Sequence, residues 1–226
     1  MKYACGVIAG TLVILLAACG SNAPSSITPL ATHALNSTSG GTAHDSTPAA
    51  AQTPDLNAEL LAINDLPAGW SVVSHSGSGG SPAPRCLQHA KNVLKPVGKA
   101  EATFADGSDD IPLLDEFLAY LPGGGQSAMA AISRVLSGCR HISVTSDGTT
   151  MTGTIGAMSF PAVADQSAAY QMNLSATASG VSVTFGIDLV VFRESDTVAM
   201  ILYGDLGTPD IQTLQPIVRD AAMKLS

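Results

Sequence analysis

Residues 55–226 predict a single α+β domain, a twisted and mainly antiparallel β-sheet with helices packed on one face and one disulfide. Three observations carry that expectation. β-like runs follow one another from His141 to Tyr203 with short turns between them, and strands joined so closely pair as an antiparallel meander. Segments with helical apolar spacing flank those runs on both sides in the chain. Two cysteines, Cys86 and Cys139, remain in the part of the chain that would fold.

The folded part starts near Leu56, where Leu56, Leu60, Leu61 and Ile63 recur at helical spacing over Asn57–Asn64. Pro67 and Gly69 then turn the chain into a strand at Trp70–Ser74. Gly77–Pro84 reads as a flexible loop, and Arg85–Leu94 as a short helix carrying Cys86. Lys99–Ala105 alternates weakly, and Ile111–Leu121 has strand character. Gly123, Gly124 and Gly125 introduce a clearer helix over Gln126–Ser137, with Met129, Ile132, Val135 and Leu136 on one face. Strand runs follow at His141–Ser146, Thr149–Phe160, Ala168–Ala176, Val181–Arg193 and Thr197–Tyr203. Asp147 and Gly148 between the first two are a strong hairpin signal. Val181–Phe192 alternates well enough to have one packed face. Pro209–Leu225 closes the chain as a helix with Ile211, Leu214, Ile217, Val218 and Ala221 on one side.

Ahead of the domain, an apolar run from Val7 to Ala18 follows Lys2 and ends at Leu16, Ala17, Ala18 and Cys19. A charged start, a short apolar middle and small residues before a break make residues 1–18 a secretory signal peptide. About a dozen apolar residues fall short of the roughly 20 that cross a bilayer core. A cysteine at the break, with Leu three residues earlier, matches the lipobox of bacterial lipoproteins. That resemblance implies that the Cys19 thiol receives a diacylglycerol and that Cys19 becomes the acylated N-terminus. Two acyl chains suffice for stable anchoring, at about 0.8 kcal/mol per buried CH₂. The expected address is the extracytoplasmic face of the cell membrane, with the membrane as a partner through the N-terminal lipid. Residues 19–54 are Ser, Thr, Ala, Pro and Gly with almost no large apolar side chains. Such a segment cannot offset its ordering entropy and reads as a disordered tether, spanning roughly 30–35 Å on average.

The net charge of −8 argues against nucleic acid as a partner, because that binding rests on Lys and Arg neutralising phosphates. It also argues against docking on anionic headgroups by charge. Of the four cysteines, Cys5 leaves with the signal peptide and Cys19 takes the lipid. Cys86 and Cys139 are left to pair in an oxidising compartment. Closing a loop of about 54 residues stabilises the fold by roughly 4 kcal/mol in the chain-entropy model. On paper Cys86, His89, Cys139 and His141 also make a Cys₂His₂ zinc set. Exported cysteine pairs are overwhelmingly disulfides, so no metal and no cofactor is expected.

A lipobox and Thr/Pro-containing tether lead to Leu60, Leu61, then Asp65, Leu66, Pro67, Ala68, Gly69 and Trp70, and a first cysteine. A helix ending in a second cysteine follows, then strands, then an amphipathic helix. This layout resembles mycobacterial lipoproteins whose exported domain is similar to the extracellular sensor domain of PknH-type receptor kinases. The resemblance covers about residues 56–226 and implies a twisted antiparallel sheet with helices, disulfides and a ligand cleft. Those domains usually carry two disulfides, whereas Cys86 and Cys139 supply one here. With no kinase domain in the chain, a signalling role would need a partner.

Motifs for chemistry are sparse. Gly125, Gln126 and Ser127 begin a Gly-x-Ser-x-Gly elbow that lacks its second Gly, and Ser127 fits better as a helix N-cap. The amides at Gly123–Gly125 could meet an anion, although a flexible loop explains them as well. Asp106, Asp109 and Asp110 concentrate carboxylates without EF-hand spacing, as a solvated turn does. Asp115 and Glu116 are adjacent and would point to opposite faces of a strand. Trp70 is the one Trp, suited to stacking on a ligand or to packing at the first turn of the domain. Asp188 sits inside an apolar strand run and would need a partner if buried, and Arg193 ends that run. Trp70, Asp188 and Arg193 are therefore the candidate ligand residues, and no catalytic residue is assigned. The expected role is non-catalytic binding or sensing of an envelope small molecule, lipid, glycan or protein. A lipid carrier with an apolar cavity and an envelope hydrolase are the alternatives.

Overall fold

The computed structural model describes residues 53–73, 86, 89–90, 93–107, 111–146, 149–178 and 181–226. The expected signal peptide, Cys19, nearly all of the expected tether, and the sequence expectations at Gly77–Pro84, Asp109, Asp110, Asp147 and Gly148 lie outside them. No helix among the described residues is long and apolar enough to cross a membrane.

Eight strands form one sheet: β1 (Trp70–Val72), β2 (Gly98–Asp106), β3 (Leu113–Tyr120), β4 (His141–Ser146), β5 (Thr149–Ala157), β6 (Gln166–Ala178), β7 (Val181–Glu194) and β8 (Thr197–Leu206). Their order is β1-β2-β3-β8-β7-β6-β5-β4, and every pairing is antiparallel. Helix α1 is Leu56–Glu59, α2 is Gly125–Gly138 and α3 is Ile211–Lys224. Cys86, His89, Ala90 and Val93 are also helical. The α+β class, the antiparallel sheet and the single Cys86–Cys139 disulfide (Cα–Cα 5.9 Å) follow the sequence expectation.

The placement of the helices does not. They were expected on one face of the sheet, and they cover both. Met129, Ile132 and Leu136 of α2 pack with Phe117, Leu189, Val191, Met200 and Leu202 on one face, beside Ala90, Leu94 and the disulfide. Leu214, Ile217, Val218 and Ala221 of α3 pack with Leu114, Leu118, Val190, Phe192 and Ile201 on the other, beside Leu56 and Leu61. The cause lies in β7 and β8. Val190, Val191, Phe192, Val198, Ala199 and Ile201 are all fully buried, and strands apolar on both faces need a layer on each side.

The first helix is also shorter than its periodicity suggests. The Asp55 carboxylate caps it by accepting the Asn57 N–H at 3.2 Å, but at Leu60 the backbone is already extended. A 3-10 turn at Ile63–Asp65 follows. The break frees the Leu61 N–H, which donates to Glu116 Oε2 at 2.7 Å. Lys224 at the end of α3 then clasps this segment, reaching Leu60 O at 2.9 Å and Asp65 Oδ2 at 2.8 Å. That contact, followed by the Ala62 N–H, holds the Asp65 carboxyl below its ordinary range.

Candidate functional site

Antiparallel register sets four residues in a row across the α3 side of the sheet. Leu114 lies opposite Tyr203, Tyr203 opposite Asp188, and Asp188 opposite Gln171. Asp188 is 1% exposed, and the partner its burial requires is Gln171, whose Nε2 donates to Asp188 Oδ1 at 3.2 Å. Burial pushes the Asp188 carboxyl up, and the Gln171 bond only partly opposes it. Tyr203 is pushed up to about 12 by burial first, and then by Asp205, Asp210, Asp106 and Asp188. Trp70 is buried with its ring centroid 6.3 Å from that of Tyr203, the planes tilted by 40°. Tyr203 thus stands between the Trp70 ring and the sequestered Asp188 carboxyl, with Asp205, Asp210 and Asp106 near enough to act on its hydroxyl. Gly186 lets Pro209 and Gly207 approach β7 closely, since a Cβ there would run into the Pro209 ring and Gly207 O. Beyond Pro209, α3 begins at Asp210, whose carboxylate accepts the Gln212 N–H and the Thr213 hydroxyl.

Trp70 and Asp188 therefore come together around Tyr203, and Arg193 does not join them. Arg193 has odd parity on β7, which places it on the α2 side, at the far end of the strand. Its Nη1 donates to Asp165 Oδ2 at 3.1 Å and to Ser195 O at 2.6 Å. Those bonds pin the β7–β8 turn, where Ser195 has φ +51°. Gly125 abuts this turn closely enough that a Cβ would stand 2.8 Å from Ser195 O and 2.9 Å from Arg193 Cδ.

The other sequence candidates are absorbed locally. The Gly123 N–H donates to Asp196 Oδ2 at 2.9 Å, so the chain supplies its own carboxylate there. Gly124, not Ser127, is the N-cap of α2, and the Ser127 hydroxyl donates to Gly124 O at 2.8 Å. Asp115 accepts from Thr103 Oγ1 at 2.6 Å, while Glu116 faces the opposite side, as strand alternation requires. Cys86 and Cys139 are bonded to each other, which removes their sulfurs from any zinc set. Among the described residues no group of three His, Cys, Asp or Glu is placed to hold a metal ion.

Glu116, which the sequence places only as one of two adjacent carboxylates on opposite strand faces, is a buried group. It is 1% exposed, and its second oxygen, Oε1, has no hydrogen-bond partner. Burial pushes its carboxyl up to about 7, against the pull of the Leu61 N–H and Lys224. The signal was present in the strand, since Leu114, Glu116 and Leu118 share one face of β3 and its neighbours are apolar.

A separate depression of about 660 Å³ lies beside the disulfide, lined by Cys86, Cys139, Arg140, His141, Ile142 and Ser143 among others.

No protein-family model matches the sequence, and no curated protein matches it. Among solved structures, the chain is similar to the extracellular domain of PknH from Mycobacterium tuberculosis. The identity is 9% and the TM-score 0.52, over 74% of this chain and 93% of that one. The likeness is one of fold.

Proposed function

We propose that the protein is a membrane-anchored extracytoplasmic lipoprotein whose α+β domain binds a ligand without catalysing a reaction, as a sensor-like module. The observation that carries this reading is the meeting of Trp70, Tyr203 and Asp188 at one end of the sheet. Aromatic faces and a buried carboxyl with a single amide partner are recognition chemistry. A hydrolytic site would need a nucleophile and base in mutual reach. The fold shared with the PknH extracellular domain supports the same class. A lipid carrier would need the apolar lanes of β7 and β8 vacant, whereas α2 and α3 side chains pack against both. The lipobox at Leu16–Cys19 supports the anchor, and partner proteins would carry any signal onward.

Native mass spectrometry of the protein purified from its own envelope tests the ligand. The expected result is a bound mass that Trp70→Leu and Asp188→Asn reduce while the native spectrum of charge states is kept. A mass retained by both variants, or no mass at all, overturns the site. Cys19→Ala tests the anchor separately, and should release the protein from membranes and abolish metabolic lipid labelling.

A further inference from the structure

We propose that the depression beside the Cys86–Cys139 disulfide is an anion site, taking a phosphate- or carboxylate-bearing ligand between Arg140, His141 and the free edge of β4. Charge distribution gives the first argument. Residues 85–97 and 126–141 contain Arg85, Lys91, Lys95, Arg134 and Arg140, and none of the chain's 18 Asp and Glu. The net charge of −8 thus hides a basic pair of segments, joined by the disulfide, on an otherwise strongly acidic chain. Arg140 and His141 are exposed, and among the described residues neither has an ion pair.

Backbone geometry gives the second argument. β4 is the last strand of the sheet, so one of its edges has no strand partner among the described residues. The Ile155 N–H donates to Arg140 O, which makes Arg140 and Ile155 a hydrogen-bonded pair in the register of β4 with β5. Antiparallel pairs alternate between bonded and non-bonded. The N–H groups of His141 and Ser143 therefore point away from β5, and both residues line the depression. Two edge amides two residues apart lie between a guanidinium and an imidazole that alternation sends to the two sides of the strand edge, and no carboxylate is among the lining residues. The C-terminal carbonyls of α2 oppose an anion with roughly half a charge, which Arg140 alone outweighs. β4 also lacks the Lys, Pro or bulge that usually blunts an open edge.

The site stands apart from Trp70 and Asp188 and does not depend on the lipid anchor. Its test is a titration of the full chain followed through the amide resonances of His141 and Ser143. One arm uses inorganic phosphate; the other compares dihexanoyl phosphatidylglycerol with dihexanoyl phosphatidylcholine, both below micelle formation. Saturable shifts with phosphate alone identify a soluble anion. Shifts with the glycerol lipid at lower concentration than phosphate, and none with the choline lipid, identify a headgroup. Arg140→Gln should weaken either response at least tenfold, and Ser143→Pro, which removes an amide the ladder does not use, should weaken it too. Arg219→Gln on α3 should leave it unchanged, and circular dichroism checks that each variant is folded. Absence of shifts in both arms, equal response to the two lipids, or an unchanged response in Arg140→Gln overturns the proposal.

Discussion

Leu61 and Glu116 are 55 residues apart in the chain, and the amide of one donates to the carboxylate of the other at 2.7 Å inside the α3-side core. The bond ties the first folded segment to a central strand through a group that titrates near neutrality. Its folded value of about 7 stands above the ordinary 4.5. Between those values the folded protein keeps a proton that the unfolded chain has released. This contribution to stability is whole below about pH 4.5 and is lost as pH rises through 7. The full excursion is on the order of 3 kcal/mol. Urea midpoints should therefore fall between pH 5 and pH 8, and Glu116→Gln should flatten that fall. An equal slope in the variant would exclude Glu116 as its source.

The disulfide closes a sequence separation of 53 and is expected to contribute roughly 4 kcal/mol. Replacing Cys86 and Cys139 together by Ala should lower stability by about that amount without moving the strands. Thiol labelling of the protein without reductant should modify neither Cys86 nor Cys139. Labelling of both would remove the covalent link from this account.

Two glycines in neighbouring parts of the sheet should respond in opposite directions. Gly186→Ala sets a methyl against Pro209 and Gly207 O and should cost about 1–3 kcal/mol. Gly156→Ala meets nothing within 4 Å and should be neutral or stabilising by about 0.4–1 kcal/mol through the unfolded chain. Denaturant melts of the pair decide the matter, and equal losses would place the close approach elsewhere.

Trp70 is the one Trp in the chain and is 8% exposed. Its emission should be blue-shifted and poorly quenched by iodide in the native state, becoming red-shifted and accessible on unfolding. Tyr203→Leu should perturb that emission without exposing the indole. Ready iodide quenching of the native protein would contradict the packing of the aromatic pair.

Much of the sheet was legible because β4 to β8 carry period-two runs broken by turn residues, and α3 carries an unbroken apolar stripe. What was not legible depended on register and on the third dimension. The run Leu189, Val190, Val191 and Phe192 signals burial on both faces, yet alternation earlier in β7 favours a single packed face. Nothing local says that the end of β8 will stand beside Trp70, so Tyr203 and Gln171 stayed out of view while Trp70 and Asp188 did not. Arg193 looked equivalent to Asp188 by its place in an apolar run. Its odd parity on the strand sends it to the other layer, where it secures a turn. The basic character of residues 85–97 and 126–141 was in plain sight and was averaged away by the net charge.

The pairing of β3 with β8 is the single seam between the strands before α2 and those after it. Until the chain beyond Thr197 exists, β1, β2 and β3 have no sheet to join, and β7 lacks its partner on the β3 side. Assembly of the full sheet therefore waits on β8, which begins only at Thr197 in a chain of 226 residues. A C-terminal deletion that removes β8 should leave two unjoined pieces in place of a slightly smaller domain.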